Sequence, residues 1–204
     1  MATTIPANSE SSVTISITLT GIRALIVNQI SEREKAKLPG AGGTGGRPSK
    51  KGTELTAQDI MEEAIYRGPN NEPVIPIENM LACITNAGVF FKQGTSKLST
   101  RDSSVIPAAI EFHEDFIPIV SQGGYCLDSR VVTNNVTKGK AVANRPIWHD
   151  WSLSFTVDLD TTLISERLFR DVVDSAGKRI GLGCMRPERK KPYGRFVVSN
   201  WTVE

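Results

Sequence analysis

Hydrophobic and polar residues alternate cleanly near the start of the chain. Val13, Ile15, Ile17 and Leu19 fall on one face, and Thr14, Ser16 and Thr18 on the other. A period of two among β-branched residues predicts a strand with one face buried. The pattern extends past Gly21 through Ala24 to Ile30, with a bend at the glycine. The period then becomes helical. Thr56 to Arg67 (TAQDIMEEAIYR) carries Ile60, Met61, Ala64 and Ile65 as a stripe, and Thr56 with Asp59 resembles a capping box. Val74-Ile75-Pro76 leads into a second helix from Ile77 to about Val89, with Met80, Leu81, Ile84 and Ala87 as its apolar face.

Strand patterns dominate the middle of the chain. Val105–Phe112 and Phe116–Val120 read as a pair around Glu114-Asp115. Arg130–Thr133 and Ala141–Asn144 read as a hairpin. Trp148 to Leu159 reads as one strand with Trp151, Leu153, Phe155, Val157 and Leu159 on one face. Thr161 or Thr162 is expected to cap a third helix, Leu163–Ala176, with Gly177 ending it as a C′ glycine. A short strand, Arg179–Gly183, and a closing strand, Arg195–Val203, complete the series. The order is strand, insertion, helix, strands, then strand, helix, strand. It predicts an α+β chain with a ferredoxin-like (RRM-like) core, decorated by a Gly-rich insertion over 32–72 and by extra β-hairpins at 105–145. All 204 residues are read as a single domain.

Composition narrows the class. The net charge is only +2, so the molecule is no polycation, and the distribution of charge matters more than its sum. Cys83, Cys126 and Cys184 are scattered and form no CxxC or CxxH pair, which argues against a disulfide framework and a structural zinc site and fits a reducing cytoplasm. No apolar run of about 18 residues predicts a membrane span. The polar start, MATTIPANSESS, has neither the basic nor the apolar part of a signal peptide.

The richest chemistry lies between Gly177 and Val198. Lys178, Arg179, Arg186, Arg189, Lys190, Lys191 and Arg195 are interrupted by one acid, Glu188. Four glycines and two prolines break this stretch into turns. Backbone N–H groups approach ligands closely at glycine, and arginine forks match phosphate oxygens. Tyr193 lies within the cluster, with Phe196 and Trp201 just beyond it. Cations with aromatics are the usual means of gripping a single strand. Pro39–Gly52 is a second basic segment, with six glycines in fourteen residues and Arg47, Lys50 and Lys51 within it. It is no NTPase phosphate loop, because Lys50-Lys51 precede Gly52-Thr53 and the required order is Gly-Lys-Ser/Thr. It reads as a flexible thumb or linker.

Other sites are sparse. His113-Glu114-Asp115 and His149-Asp150 are not preassembled, because neighbours on a strand point to opposite faces. No metal spacing and no nucleophile elbow occur, so no cofactor and no enzymatic activity are expected. Cys184 sits among cations that lower a thiol pKa. Of Trp148 and Trp151, one is expected in the core; the other reads most plainly as an edge-strand aromatic, with an interface or base-stacking role as the alternative.

Val74-Ile75-Pro76-Ile77, followed by a helix, resembles the hydrophobic-Ile-Pro helix entry of the RAMP superfamily, the RNA-binding backbone subunits of CRISPR effector complexes. Gly177, Gly181, Gly183 and Gly194, after a later helix, resemble that superfamily's glycine-rich loop. The Gly-Leu-Gly, Arg-Pro and Tyr-Gly-Arg-Phe series also looks like small uncharacterised proteins of bacteriophages and mobile elements. The resemblance implies a sequence-independent grip on a single strand by side-by-side protomers, in a bacterial or phage-infected cell. The leading expectation is a non-enzymatic, homo-oligomeric binder of single-stranded RNA or DNA. Two alternatives stay open: a phage anti-defence protein sequestering a nucleotide signal, and a structural or assembly protein.

Overall fold

The alternation near the N-terminus builds the strand around which everything else is arranged. The structure, a computed structural model, describes residues 12–31, 35, 55–133 and 139–204. In chain order the elements are β1 (Ser12–Gly21), β2 (Leu25–Ile26), α1 (Ala57–Glu63), β3 (Val74–Pro76), α2 (Ile77–Ala87), β4 (Lys92–Gln93) and β5 (Ser96–Lys97). They continue with α3 (Ile106–Ala109), β6 (Ile110–Phe112), β7 (Phe116–Pro118), β8 (Cys126–Thr133), β9 (Lys140–Trp148), β10 (Ser152–Asp160), α4 (Glu166–Ser175) and β11 (Phe196–Val203).

β1 pairs antiparallel with β10 on one side and β11 on the other, giving a four-stranded sheet in the order β11-β1-β10-β6. Ile15, Ile17 and Leu19 of β1 and Leu153, Phe155, Val157 and Leu159 of β10 are all buried on one face. Against them pack Met80, Ile84 and Ala87 of α2 and Phe169, Val172 and Val173 of α4. Burying each such large side chain contributes about 1.5–3 kcal/mol, so this single interface is the main stabilising layer. The opposite sheet face carries Thr14, Ser16, Thr18, Ser154 and Thr156, which hydrogen-bond across strands in places, as Thr18 does with Ser154 at 3.1 Å.

Local chemistry accounts for the helices. Thr56 and Asp59 close the expected capping box of α1, with Asp59 N–H donating to Thr56 Oγ1 at 3.2 Å and Thr56 N–H to Asp59 Oδ2 at 2.9 Å. α2 starts straight after Pro76, where a fixed φ suits a helix entry. α4 begins later than expected. Ser165, not Thr161 or Thr162, is its N-cap, because Asp160 ties both Thr162 groups into a turn.

Several strand expectations are corrected. Val105–Phe112 is not one strand, since Ile106–Ala109 forms a helical turn with Pro107 in its first turn. β6 and β7 do not pair with each other; β6 joins β10 and β7 joins β3. Trp148 ends β9, and the chain turns at 149–151 before β10 begins. Both Trp148 and Trp151 are buried, at 1% and 3% exposure, so neither is a free platform. Past Gly21 the chain leaves the main sheet, and β2 pairs with β9 in a second sheet, order β2-β9-β8. Of the expected 32–72 insertion, α1 brings Met61 into the buried set, and Ile65 follows it there. The Gly-rich stretch, with Arg47, Lys50 and Lys51, lies outside the described residues. Among the described residues no helix is long and apolar enough to cross a membrane.

Candidate functional site

The end of α4 sets the geometry of the basic segment. Gly177 does not end the helix. The chain runs on through a π-helical turn, Ala176–Ile180, and Gly181 terminates it at φ 75°. Gly177 is glycine for a packing reason, since the backbone carbonyl of Phe196 occupies the place of a side chain there. The expected strand Arg179–Gly183 is therefore absent, its first half being absorbed into this turn.

From Gly181 the chain folds into a loop that doubles back on itself. Gly183 and Gly194 both hold positive φ, at 76° and 66°, which only glycine adopts without strain. Leu182 N–H donates to Gly194 O at 2.9 Å, and Tyr193 N–H to Met185 O at 3.1 Å. The doubled loop is then stitched to the segment after β1, with Cys184 N–H on Ile26 O at 2.9 Å and Gly194 N–H on Ala24 O at 2.8 Å. A glycine-rich loop held by main-chain bonds at both arms presents its tip as a fixed feature.

That tip is the short 3₁₀ turn Pro187–Arg189 followed by Lys190 in the left-handed region at φ 59°. Arg189, Lys190 and Lys191 are exposed there and have no acidic partner among the described residues. Arg186 differs. Its guanidinium chelates Glu188 Oε2 at 2.6 and 2.8 Å and donates to Gly183 O at 2.8 Å. Glu188 in turn accepts from Asn86 Nδ2 of α2 at 2.9 Å. Arg186 thus braces the loop rather than offering a free charge.

The remaining expected residues spread out from this tip. Arg195 is exposed, and its carbonyl accepts from the N–H groups of Ile22 and Arg23 at 2.9 and 3.3 Å. This brings Arg23, which sequence reading missed, beside it. Tyr193 is half-buried beneath Arg130 of β8, whose guanidinium lies 4.6 Å from the ring centroid and also pairs with Asp128 at 2.7 Å. Lys178 and Arg179 sit on the π-helical turn, with Arg179 over the half-exposed Phe90 ring at 4.6 Å. The turn that carries both cations packs against the C-terminal half of α2 and against the tip turn Pro187–Arg189.

The thiols run against the sequence expectation. Burial pushes the Cys184 thiol above its ordinary value, outweighing the nearby Arg145 and Arg186. Cys83, on α2, is pushed up to about 12 by burial and donates to Gly181 O at 3.4 Å. At both thiols the cations still pull downward, but the desolvation is the larger effect.

On the open sheet face the chemistry is acidic. His113 Nε2 meets Asp158 Oδ2 at 2.9 Å, and Thr14 Oγ1 donates to Asp158 Oδ1 at 2.6 Å. Glu111, paired with Asp158 across the ladder, adds a further carboxylate. No group of three or more His, Cys, Asp or Glu able to hold a metal ion occurs among the described residues.

No family model matches the chain, and no curated protein matches it. Solved structures do. One is a chain of the cryo-EM structure of the type III-B Cmr-beta bound to cognate target RNA. The match has a TM-score of 0.54 at 13% identity and covers 96% of this chain and 61% of that one. The likeness is one of fold, and this chain spans about three-fifths of the length of the chain it matches.

Proposed function

We propose that this protein is a non-enzymatic binder of single-stranded nucleic acid, RNA in preference to DNA, built on a ferredoxin-like core of the RAMP kind. The observation that carries the reading is the exposed charge of Arg189, Lys190 and Lys191, without an acidic partner among the described residues, on a loop whose backbone is pinned by main-chain bonds to Ala24 and Ile26. With the loop backbone already held, only side-chain rotamer freedom is lost when a phosphate arrives. The element order β1, α2, β6, β10, α4, β11 and the sheet order β11-β1-β10-β6 support the ferredoxin-like description. The fold likeness to a chain from an RNA-bound structure supports the preference for RNA.

The same residues argue against binding on the open sheet face. That face offers Ser and Thr with Asp158 and Glu111; among the described residues it shows no Phe, Tyr or Trp for a base to stack on, and its His113 ring is tied to Asp158. The strand therefore tracks the loop edge, past Arg23 and Arg195. Copies of the chain lie side by side along it. The exposed Val131 and Val142, facing each other across the β8–β9 hairpin, give such copies an apolar contact.

The test is the ratio of absorbance at 260 to 280 nm, with particle mass, for protein purified at low and at high salt. A high ratio and a large particle at low salt, both collapsing at high salt, are expected. A clean protein ratio with unchanged mass at both would overturn the reading.

A further inference from the structure

A cavity of about 160 Å³ opens between α2, the glycine-rich loop and the strand end at Val27-Asn28. It is smaller than the ~300–1,000 Å³ clefts that take drug-sized ligands, which suits one planar ring system. Its walls mix apolar and polar groups in the way a base-sized ligand needs. Val27, Ile75 and Leu182 line it with aliphatic surface, and Tyr66 brings an aromatic ring.

The polar groups decide what the ring is. Asn79, on the exposed first turn of α2, lines the cavity, and its carboxamide has no hydrogen-bond partner among the described residues. The Tyr66 hydroxyl and the Gly183 N–H are likewise without one. Asn28 Oδ1 is occupied by Arg145 Nε at 3.1 Å, which leaves the Asn28 NH₂ as a donor. An unengaged carboxamide presents one donor beside one acceptor, the complement of adenine's N6 amine and ring nitrogen. Guanine recognition favours an arginine fork, and the arginine at this cavity, Arg186, is already committed to Glu188 and Gly183.

We infer that this cavity is a single-base pocket selective for adenine, beside the phosphate-binding loop. The inference rests on the nucleic-acid reading above for its ligand class. Tyr66 stacks on the base, Asn79 and Asn28 read its edge, and the exposed cations of the loop tip hold the attached phosphate. The shared chemistry is an adenine carrying a 5′-phosphate. It has two sources, one residue of a bound strand or a free mononucleotide.

Two variants test it. Ala82 lines the cavity on the exposed side of α2, so Ala82→Trp fills the pocket without entering the core. Asn79→Ala removes the edge contact and leaves the volume. Both are compared with the wild-type chain by fluorescence anisotropy on oligoadenylate, oligouridylate and oligocytidylate, and by calorimetry with AMP and UMP. The expected result is a preference of at least ~5-fold for oligoadenylate, lost in both variants while oligouridylate affinity and its salt dependence stay unchanged. Saturable AMP binding without oligonucleotide binding, abolished by Ala82→Trp, would uphold the pocket and sink the strand reading. Equal, salt-dependent affinity for all three polymers, unaltered by either variant and without AMP binding, would overturn the pocket and leave the strand reading standing.

Discussion

Leu182 donates its backbone N–H to the Gly194 carbonyl at 2.9 Å, and the two residues pass so closely that the Leu182 carbonyl lies where a side chain on Gly194 would start. This one crossing closes the basic loop on itself.

Gly194→Ala should therefore act on both fold and ligand. Its φ of 66° is strained for alanine, and the added carbon meets main chain that cannot swing away. A cost of about 2 kcal/mol would lower the melting temperature by roughly 4–8 °C, read by differential scanning calorimetry. Nucleic-acid affinity should fall with it, because the loop tip loses its fixed place.

Arg186 and Lys191 should separate bracing from binding. Arg186→Ala removes the donor to Gly183 O and leaves Glu188 with only Asn86. Its expected signature is a loss of about 1 kcal/mol in urea unfolding. Lys191→Ala should leave unfolding unchanged. It should instead make the dependence of log affinity on log salt shallower by ~0.7, one phosphate on a single strand.

The contrast between these two residues marks how far the sequence could be read. Alternation from Val13 to Leu19 and the helical stripe at Met80, Ile84 and Ala87 declared the core, because burial follows local period. The basic loop was visible as a charge cluster. What it could not reveal was which cation is spent internally, since Glu188 and Gly183 meet Arg186, and Asn86 meets Glu188, only after folding. Gly177 misled for the same reason, its lack of a side chain answering the distant Phe196 backbone and not a helix end. Tyr66, Asn79 and Asn28 come to one cavity from three segments with no shared motif.

The pair His113–Asp158 should make stability depend on pH. The hydrogen bond to Asp158, with that carboxylate's charge, raises His113 above its ordinary 6.5. The Thr14 hydroxyl first, and then His113, hold Asp158 below its ordinary 3.8. A raised histidine contributes stability that is complete below the unfolded value and is lost as pH rises through the folded one. The melting temperature should thus decline as pH climbs above 6.5, and His113→Gln should flatten that part of the curve. Asp158 works in the opposite sense, its contribution fading as pH falls below 3.8. Identical pH curves for the two proteins above neutrality would remove the pair from the account.

The three thiols should alkylate in a set order. Cys126 is exposed, Cys184 partly buried with its thiol pushed up, and Cys83 buried with its thiol near 12. Mass spectrometry after brief maleimide treatment near neutral pH should find Cys126 modified first, Cys184 slowly, and Cys83 only after denaturation. Early modification of Cys184 would mean that the loop lifts away from Ile26.

The most direct test of the central claim is the salt dependence of single-stranded RNA binding, measured by fluorescence anisotropy on the wild-type chain and on Arg189→Glu/Lys190→Glu/Lys191→Glu. The account predicts steep weakening with salt for the wild type. In the variant the affinity falls and the log–log slope is shallower by at least ~2, about 0.7 for each of the three cations lost. A wild-type affinity that is flat across salt, or a variant with the wild-type slope, would contradict it.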